Sequence, residues 1–325
     1  MIARFAIPFF LFLGFVAIPA VIALLCRWLL PRRWWREFAV ATTLLIWSIV
    51  AYGLFCGFQQ FQVRHVEYAS ADLPAAFDGY RIVHFSDAHV GTLDGSRQWM
   101  LQRAVDSINA QRADMIVFTG DMQNVVPGEL ATQVSYFRQL KAKDGVYAVL
   151  GNHDYAVYQN CDEAEKDANC QQTVRYIRDM GFDLLLNEHR IVRRDSDSIV
   201  VAGMENWGVV DRMPRRGDVS QTLSRPTALR QHPAPFTVML QHDPSCWREK
   251  ILPESEAQLT LSGHTHGGQV SLLGWSPVSL NYREWGGMTY EGARAIYVST
   301  GLGALIPFRL GLPGEIVVIT LRSKR

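Results

Sequence analysis

Polar side chains that can bind metal ions follow five short apolar runs of this 325-residue sequence, at the point where each run ends. The seven residues concerned are Asp87, His89, Asp121, Asn152, His242, His264 and His266. They offer oxygen and nitrogen donors and no thiolate. This set is too large for one tetrahedral zinc ion, but it suits two transition-metal ions that share a carboxylate and a water. Such ligands permit manganese, iron or zinc.

Each of these residues, taken alone, also has an ordinary structural explanation. A single histidine at a strand end is usually hydrogen-bonded in the core or at the surface, and a Gly-Asp pair is usually a turn. Ligand types at the ends of five separate runs are much harder to attribute to chance. The set as a whole therefore predicts a dinuclear metal centre.

The elements that must position these residues alternate between strand and helix up to Gly181, and the chain is strand-rich beyond it. The predicted strands of the first part are Arg81–Phe85, Met115–Phe118 and Val146–Leu150, and the predicted helices cover 96–110, 129–140 and 171–180. This alternation is typical of a largely parallel sheet. Ligands bind outside the carboxyl ends of such strands, so the polar residues are expected to converge on one crevice.

The N-terminal 60 residues differ from the rest in composition. The runs Phe5–Cys26 and Phe38–Phe58 contain no charged residue, and each is long enough to span a bilayer, which takes about 20 apolar residues. The segment between them, Arg27–Arg36, has four arginines and three tryptophans. The positive-inside rule places it in the cytoplasm and the remaining chain outside. A signal peptide is the alternative for the first run, although no convincing cleavage site follows it.

The overall composition excludes several classes of protein. A hydrophobic fraction of 48% with 11% aromatic residues excludes a disordered polar chain. The net charge of +1 provides no basic field for nucleic acid. Five cysteines are too few for a scaffold built on disulfides.

The order Asp-x-His, Gly-Asp, Gly-Asn-His-Asp, His and Gly-His-Thr-His resembles the calcineurin-like metallophosphoesterase superfamily. The segments 86–91 and 262–269 look most like its bacterial membrane-associated or exported phosphodiesterase branch. The resemblance implies an α/β fold, a four-layer α/β/β/α sandwich with two central mixed sheets, here preceded by an N-terminal two-helix transmembrane hairpin. We expect the hairpin at 1–60, a connector at 61–79 and the metallophosphoesterase catalytic domain at 80–325.

The resemblance also implies a role for each residue of the set. One metal ion would be held by Asp87, His89 and His266, the second by Asn152, His242 and His264, with Asp121 bridging them. His153 would be the proton donor or transition-state stabiliser, and Asp154 the group that orients it. The region of Arg309 is a further candidate for contact with phosphate.

The expected function is that of a membrane-anchored phosphohydrolase with two divalent or trivalent transition-metal ions (Mn, Fe or Zn). It would be a phosphodiesterase that hydrolyses an envelope phosphoester or a phospholipid-like substrate through attack by a metal-bridged hydroxide. Its partners would be this substrate and the lipid bilayer, with no nucleic acid and no obligate protein partner. We expect a multi-pass protein of the cell (inner) membrane with an extracytoplasmic catalytic domain.

Two alternative functions fit the same residues. One is a cytoplasm-facing pyrophosphohydrolase of a nucleotide-linked lipid, which keeps the chemistry and reverses the topology. The other is a non-catalytic binding module on the same scaffold, since a fold alone never guarantees activity. The presence of ligand types at all seven positions, together with His153, argues against the binding module.

One acidic segment looks like an addition to the family core. It runs from Cys161 to Cys170, and these cysteines would either form a disulfide, as in an oxidising compartment, or remain free thiols. Because the segment closely follows His153, we expect it to border the active site and to restrict the shape of the substrate.

Overall fold

A computed structural model of the protein describes residues 9–224 and 236–324. The helices are α1 (Ile18–Leu29), α2 (Trp35–Tyr52), α3 (Gln98–Ala110), α4 (Val134–Phe137), α5 (Glu163–Asp179), α6 (Val219–Thr222) and α7 (Leu252–Glu254). The strands are β1 (Phe61–Ser70), β2 (Arg81–Phe85), β3 (Met115–Phe118), β4 (Val146–Ala148), β5 (Asp183–Leu184), β6 (Glu188–Arg194), β7 (Asp197–Gly203), β8 (Thr237–Leu240), β9 (Leu259–Ser262), β10 (Gly287–Glu291), β11 (Arg294–Val298) and β12 (Gly314–Ser323).

These strands form two mixed six-stranded sheets that pack face to face. Sheet A has the order β1-β12-β2-β3-β4-β5, and sheet B has the order β10-β11-β9-β8-β7-β6. Alternate residues of a strand point to opposite faces. In β3, for example, Met115 and Val117 lie in the core between the sheets, whereas Ile116 and Phe118 pack against α3 and α5. The outer face of sheet B is covered by a further helical segment that contains Trp247 and Ile251. The predicted four-layer fold is confirmed.

The structure gives residues 61–79 a different character from the expected connector. The first ten of them form β1, which pairs in parallel with β12 along its whole length, from Phe61 opposite Gly314 to Ser70 opposite Ser323. β1 is the edge strand of sheet A, so several of its side chains remain exposed. This explains the polar composition that suggested a connector.

The helix predicted at 171–180 begins earlier, because Asp162 caps it by accepting a hydrogen bond from the Glu165 amide at 2.8 Å. The expected acidic loop is therefore largely the first part of α5. Cys161 and Cys170 are free thiols in the structure. Cys170 faces the core from α5, and burial raises its pKa to about 11.

Two N-terminal helical segments are long and apolar enough to cross a membrane, Phe9–Leu29 and Trp35–Gly57. They lie side by side, and the Trp47 Nε1–H donates a hydrogen bond to the Phe15 carbonyl at 3.0 Å. Only 11% and 17% of their most apolar windows are buried, whereas core helices of soluble proteins bury their apolar faces. The start of the first predicted run, Phe5–Pro8, lies outside the described residues.

The second of these helices ends directly against the domain formed by the two sheets. The Phe308 ring packs on Gly53 and lies 4.8 Å from the Phe10 ring, measured between centroids. The Arg309 amide donates a hydrogen bond to the Gly53 carbonyl at 3.1 Å. Gly57 approaches the Arg309 carbonyl so closely that a Cβ atom would clash with it. The hairpin and the domain are therefore joined by close packing.

Asp114 connects the two sheets at the end of the domain that lies away from the hairpin. Its charge is expected to make the stability of the protein depend on pH. Its carboxylate accepts hydrogen bonds from the Arg81 amide, Lys143 and Arg194 at 2.8–2.9 Å. Burial raises the pKa of Asp114, but these hydrogen bonds outweigh burial and hold it below its usual value. A carboxylate of this kind stabilises the folded protein above the unfolded-state pKa of about 3.9, and the contribution is lost as pH falls through the folded-state pKa.

We therefore expect acid to lower the melting temperature more steeply in the wild-type protein than in Asp114→Asn. The measurement is thermal unfolding of the detergent-solubilised chain at a series of pH values below about 5. If the melting temperatures of the two proteins fell equally with pH, Asp114 would not be the group responsible for the loss of stability.

Candidate metal centre

All seven predicted ligands lie at one edge of the two sheets, in the loops that follow β2, β3, β4, β8 and β9. The loops after β2 and β9 meet across the interface between the sheets. The His264 amide donates a hydrogen bond to the Asp87 carboxylate at 3.0 Å, and Gly263 lies directly against the Ser86 and Asp87 side chains. A side chain at Gly263 would separate the two loops. The predicted convergence of strand ends is therefore present.

The first ligand group consists of Asp87, His89 and His266, whose ligand atoms all lie within 4.8 Å of one another. His266 Nε2 is 3.4 Å from Asp87 Oδ1 and 3.2 Å from His89 Nε2. Asp87 and His89 are fully buried. The structure thus brings together the three residues expected around one metal ion.

The second group consists of Asp121, His242 and His264, which also satisfy the 4.8 Å limit. His242 Nε2 lies 3.2 Å from Asp121 Oδ2, 3.2 Å from His264 Nδ1 and 3.1 Å from Asn152 Oδ1. Asp121 Oδ2 is also 3.7 Å from His89 Nε2. Asp121 therefore lies between the two groups, where a bridging carboxylate is expected.

The chemistry of the first group fits a bound cation. Burial lowers the pKa of His89 to about 3, and it lowers the pKa of His266 well below the usual value, so both rings are neutral at pH 7. Among the described residues, nothing forms a hydrogen bond with the buried Nδ1 atom of either ring. Two neutral imidazoles whose Nε2 atoms face each other at 3.2 Å can share at most one proton between them. A metal ion would use both lone pairs.

Hydrogen bonds from outside the two groups orient His242 and Asn152. His242 Nδ1–H donates to the Thr119 carbonyl at 2.7 Å, which turns Nε2 toward Asp121. Tyr158 OH accepts a hydrogen bond from Asn152 Nδ2 at 3.0 Å, so the Asn152 amide oxygen faces His242. Such outer partners fix the orientation of ligand side chains. Sequence reasoning missed Tyr158, because a tyrosine in a loop carries no ligand signal of its own.

Tyr282 is a second missed residue, and it lies 18 positions beyond the ligand that it contacts. Its hydroxyl is 2.9 Å from His264 Nε2. Asp243, next to His242 in the chain, approaches the same nitrogen to 3.6 Å. Asp243 could have been identified from the sequence, because it directly follows the predicted ligand His242.

Five of the seven candidate ligands have left-handed backbone conformations. Their φ angles are 51° for Asp87, 42° for His89, 61° for Asp121, 73° for His264 and 51° for His266. Residues other than glycine adopt positive φ in only a few per cent of cases. Such strain persists where the surrounding structure enforces it, and it is concentrated at functional sites. This observation marks the loops as functional independently of their residue types.

His153 lies beside both ligand groups, with its Nε2 atom 4.0 Å from Asp121 Oδ2. Its Nδ1–H donates to the Asn124 carbonyl, which leaves Nε2 facing the centre. The Tyr158 ring packs on the His153 ring at 4.3 Å between centroids. Tyr158 precedes the acidic segment 161–170, so the expectation that this segment borders the site stays a prediction. His89, Asp121 and His153 also form a third set of potential metal ligands within 4.8 Å.

Asp154 has different hydrogen bonds from those expected of a group that orients the His153 ring. Its carboxylate accepts from the backbone amides of Asp121 and Gly151 at 2.8 and 2.9 Å, and from those of Met122 and Gln123 at 3.0 and 3.3 Å. The ring of His153 is held by the Asn124 carbonyl instead. Asp154 thus positions the backbone that carries Asp121.

Glu129 holds the loop that in turn holds His153. Its carboxylate accepts hydrogen bonds from the amides of Asn124 at 2.6 Å, Val125 at 3.1 Å and Val126 at 3.2 Å. Because Glu129→Gln replaces one acceptor oxygen by a donor, we expect the loop to shift and kcat to fall about tenfold, with bound metal unchanged. Exposed Glu163→Gln is the matched control. Loss of metal in Glu129→Gln would show that the loop supports the ligands rather than His153.

The region of Arg309 was a candidate for contact with phosphate, but its side chain does not contact the metal centre. Its guanidinium is fully buried and donates hydrogen bonds to the carbonyls of Thr300, Gly301 and Gly303 at 2.7–3.0 Å. Weaker bonds reach Leu312 at 3.3 Å. The prediction is wrong because the side chain is buried and its Nη donors are bound to backbone carbonyls.

Comparison with known proteins agrees with this geometry. A family model described as calcineurin-like phosphoesterase matches residues 80–268. A Danio rerio protein named transmembrane protein with metallophosphoesterase domain is 30% identical over 287 residues, which cover 86% of this chain and 62% of that protein. The Bacillus subtilis metallophosphoesterase YkuE is 31% identical over 279 residues, which cover 78% of this chain and 83% of that protein.

One solved structure in the comparison is the sulfate thiohydrolase SoxB of Thermus thermophilus. It aligns with a TM-score of 0.43 and 12% identity, over 77% of this chain and 57% of that one. A Bos taurus relative, 27% identical, is likewise named a transmembrane protein. These names and the two apolar helices indicate association with a membrane. With more than half of its length matched by the family model, the chain belongs to the calcineurin-like phosphoesterase family.

Proposed function

We propose that the protein is a membrane-anchored phosphodiesterase with two metal ions. One would be held by Asp87, His89 and His266, the second by Asn152, His242 and His264, with Asp121 shared between them. The observation that carries the proposal is the position of Asp121, whose carboxylate lies 3.2 Å from His242 and 3.7 Å from His89. Metal ions bound there would stabilise phosphoryl charge and lower the pKa of a water shared between them.

The side chains around this centre account for the other steps of hydrolysis. His153 presents Nε2 to the centre, and in its protonated form it would deliver a proton from that atom to the leaving alkoxide. The hydrogen bond to Asn124 keeps its Nδ1 protonated, so Nε2 remains the reactive atom. Asn152 contributes a neutral oxygen, which limits negative charge at a site that must accept an anionic phosphate. Asp154 holds the backbone of Asp121 in its strained conformation.

A diester is the preferred substrate because it carries less negative charge than a monoester. Arg309 is fully buried, its guanidinium donates to backbone carbonyls, and it does not extend to substrate. We expect the metal-loaded full chain to hydrolyse bis-p-nitrophenyl phosphate with a kcat/KM at least about tenfold above that for p-nitrophenyl phosphate. A reversed preference would make the protein a phosphomonoesterase. No turnover with manganese, iron or zinc would favour the non-catalytic binding module.

The catalytic domain is proposed to lie outside the cytoplasm, with an envelope phosphoester or phospholipid-like molecule as its substrate. The support is the turn between the two apolar helices, where Arg32, Arg33 and Arg36 are exposed and obey the positive-inside rule if they face the cytoplasm. A C-terminal alkaline phosphatase fusion is then expected to be active, and a green fluorescent protein fusion dark. The opposite pair of results would favour the cytoplasm-facing pyrophosphohydrolase.

A further inference from the structure

The metal centre and the apolar helices lie at the same end of the strands of sheet A. β1 begins at Phe61, directly after the second helix, and both β1 and β12 run away from it in parallel. β2 runs antiparallel to β12, and β3 and β4 run parallel to β2. These three strands therefore run toward the helices and end there, with Asp87 and Asp121 in the loops that follow. The centre lies on the membrane side of the domain.

A loop rich in exposed apolar side chains projects beside the centre. This apolar loop comprises residues 270–280. Leu272 is 72% exposed, Leu273 100%, Trp275 54% and Leu280 78%. Soluble surfaces rarely group large apolar side chains in this way without a partner.

The apolar loop is held close to the ligands of the centre by contacts within it and just beyond its end. It begins four residues after His266, and its Ser276 hydroxyl donates a hydrogen bond to the Gly267 carbonyl at 2.6 Å. Two residues after its end, the hydroxyl of Tyr282 lies 2.9 Å from His264 Nε2. The position of the loop is therefore fixed relative to the metal ligands.

The same loop is continuous with the contact between the domain and the hairpin. Val270 forms a β-bridge with Leu310, and the Ser271 amide donates to the Leu310 carbonyl at 2.9 Å. Phe308 and Arg309, just before Leu310, are the residues that contact Gly53 of the second helix. The exposed leucines thus lie beside the point where the hairpin meets the domain.

The tip of the apolar loop is a tight turn that leucine does not suit. Leu272 and Trp275 exchange backbone hydrogen bonds at 2.9 and 3.0 Å, and between them Leu273 and Gly274 have φ angles of 52° and 83°. Positive φ at both central residues defines a type I′ geometry, in which asparagine, aspartate and glycine are favoured. Leu273 therefore carries backbone strain, and its fully exposed side chain gains no packing within the fold. Its apolar side chain points to a partner outside the described chain.

We propose that the apolar loop contacts the lipid bilayer, with Leu272, Leu273 and Trp275 inserted at the boundary between headgroups and acyl chains. Leucine and tryptophan are side chains that suit this boundary. The contact would bring the opening of the metal centre to the layer of lipid phosphates. This inference rests on the membrane anchoring in the proposed function, but it does not depend on hydrolytic activity.

The test measures the surroundings of the loop in the full chain. Cys26, Cys56 and Cys161 are replaced by serine, and buried Cys170 and Cys246 are retained. Leu273→Cys is labelled with bimane in nanodiscs of phosphatidylcholine and phosphatidylglycerol, with and without doxyl-labelled phosphatidylcholine. Ser196→Cys is the matched control, because this exposed residue lies in the turn between β6 and β7, at the edge far from the hairpin.

We expect doxyl lipid to quench the Leu273→Cys label at least about threefold more than the Ser196→Cys label, and aqueous iodide to do the reverse. Equal quenching of both labels by iodide would overturn the proposal. Protection from iodide without quenching by doxyl lipid would also overturn it, since this result indicates a protein partner. Leu272→Cys replaces Leu273→Cys if the latter does not fold. The readout needs no turnover, so failure of the proposed activity and failure of membrane contact are distinguishable.

Discussion

Asp121→Asn is expected to lower phosphodiester turnover by about three orders of magnitude or more and to reduce the amount of bound metal. The asparagine is nearly isosteric and can still accept the hydrogen bond that His153 N donates to Asp121 Oδ1 at 2.8 Å. It lacks the negative charge that a carboxylate shared between two cations provides. Both ligand groups lose a partner at once, because Asp121 lies within 4 Å of nitrogen atoms from each. Turnover of bis-p-nitrophenyl phosphate and metal content by mass spectrometry are the two measurements.

The control for this variant is Asp106→Asn, which removes an exposed carboxylate on α3. It is expected to retain wild-type turnover and metal content. Thermal unfolding shows whether Asp121→Asn remains folded. A folded Asp121→Asn protein with normal metal and turnover would remove Asp121 from the centre and refute the bridging role.

Arg309→Met is expected to destabilise the protein by about 3–5 kcal/mol, with a fall in melting temperature on the order of 10 °C. The substitution preserves an unbranched side chain but leaves the carbonyls of Thr300, Gly301 and Gly303 without their buried donor. It also removes a positive charge that acts on Glu315, a carboxylate only 1% exposed. The measurement is thermal unfolding of the metal-free chain in detergent, so that metal binding does not contribute.

Two variants separate the hydrogen bonds of Arg309 from its charge. Arg309→Lys keeps a cation but cannot reproduce the planar set of donors, so it is expected to lie between the wild type and Arg309→Met. Arg283→Met is the control, because that side chain is 74% exposed and its nearest carboxylate, Glu284, is 3.7 Å away. Equal melting temperatures for Arg309→Met and Arg283→Met would contradict the structural role of Arg309.

The membership of the candidate site could be predicted from the sequence because the ligands lie in the loops that follow short strands. β2 and β3 have the predicted bounds, and in such a fold the strand ends meet at one edge. The grouping of Asp87 with His89 came from the family resemblance, and the structure places their side chains in one cluster. The identity and number of bound metal ions remain predictions.

Other features of the site could not be predicted from the sequence, because they depend on contacts between residues that come together only in the folded protein. Tyr282 reaches His264, and Tyr158 orients Asn152, only after the loops have folded. The left-handed backbone of Asp87 could not be predicted from its residue type, because only a few per cent of residues other than glycine adopt positive φ. Arg309 was misjudged because an arginine suggests an anion, whereas its partners here are backbone carbonyls.

Errors in the fold had a different physical origin. The exposed face of β1 made an edge strand look like a polar connector. The acidic start of α5 looked like a loop, although acidic side chains in the first turn stabilise a helix through its dipole. In both segments local composition reflected solvent exposure rather than secondary structure.

The close contact at Gly57 has a consequence for the reach of the proposed enzyme. A long flexible stalk would let a catalytic domain sample phosphates over a wide range of heights above the bilayer. Here β1 starts at Phe61, shortly after Gly57 has packed against the Arg309 carbonyl. A domain joined in this way cannot swing away from its anchor. The height of the metal centre above the bilayer would therefore be set by the junction itself, and under the proposed function the substrates would be those whose phosphate lies within one narrow layer.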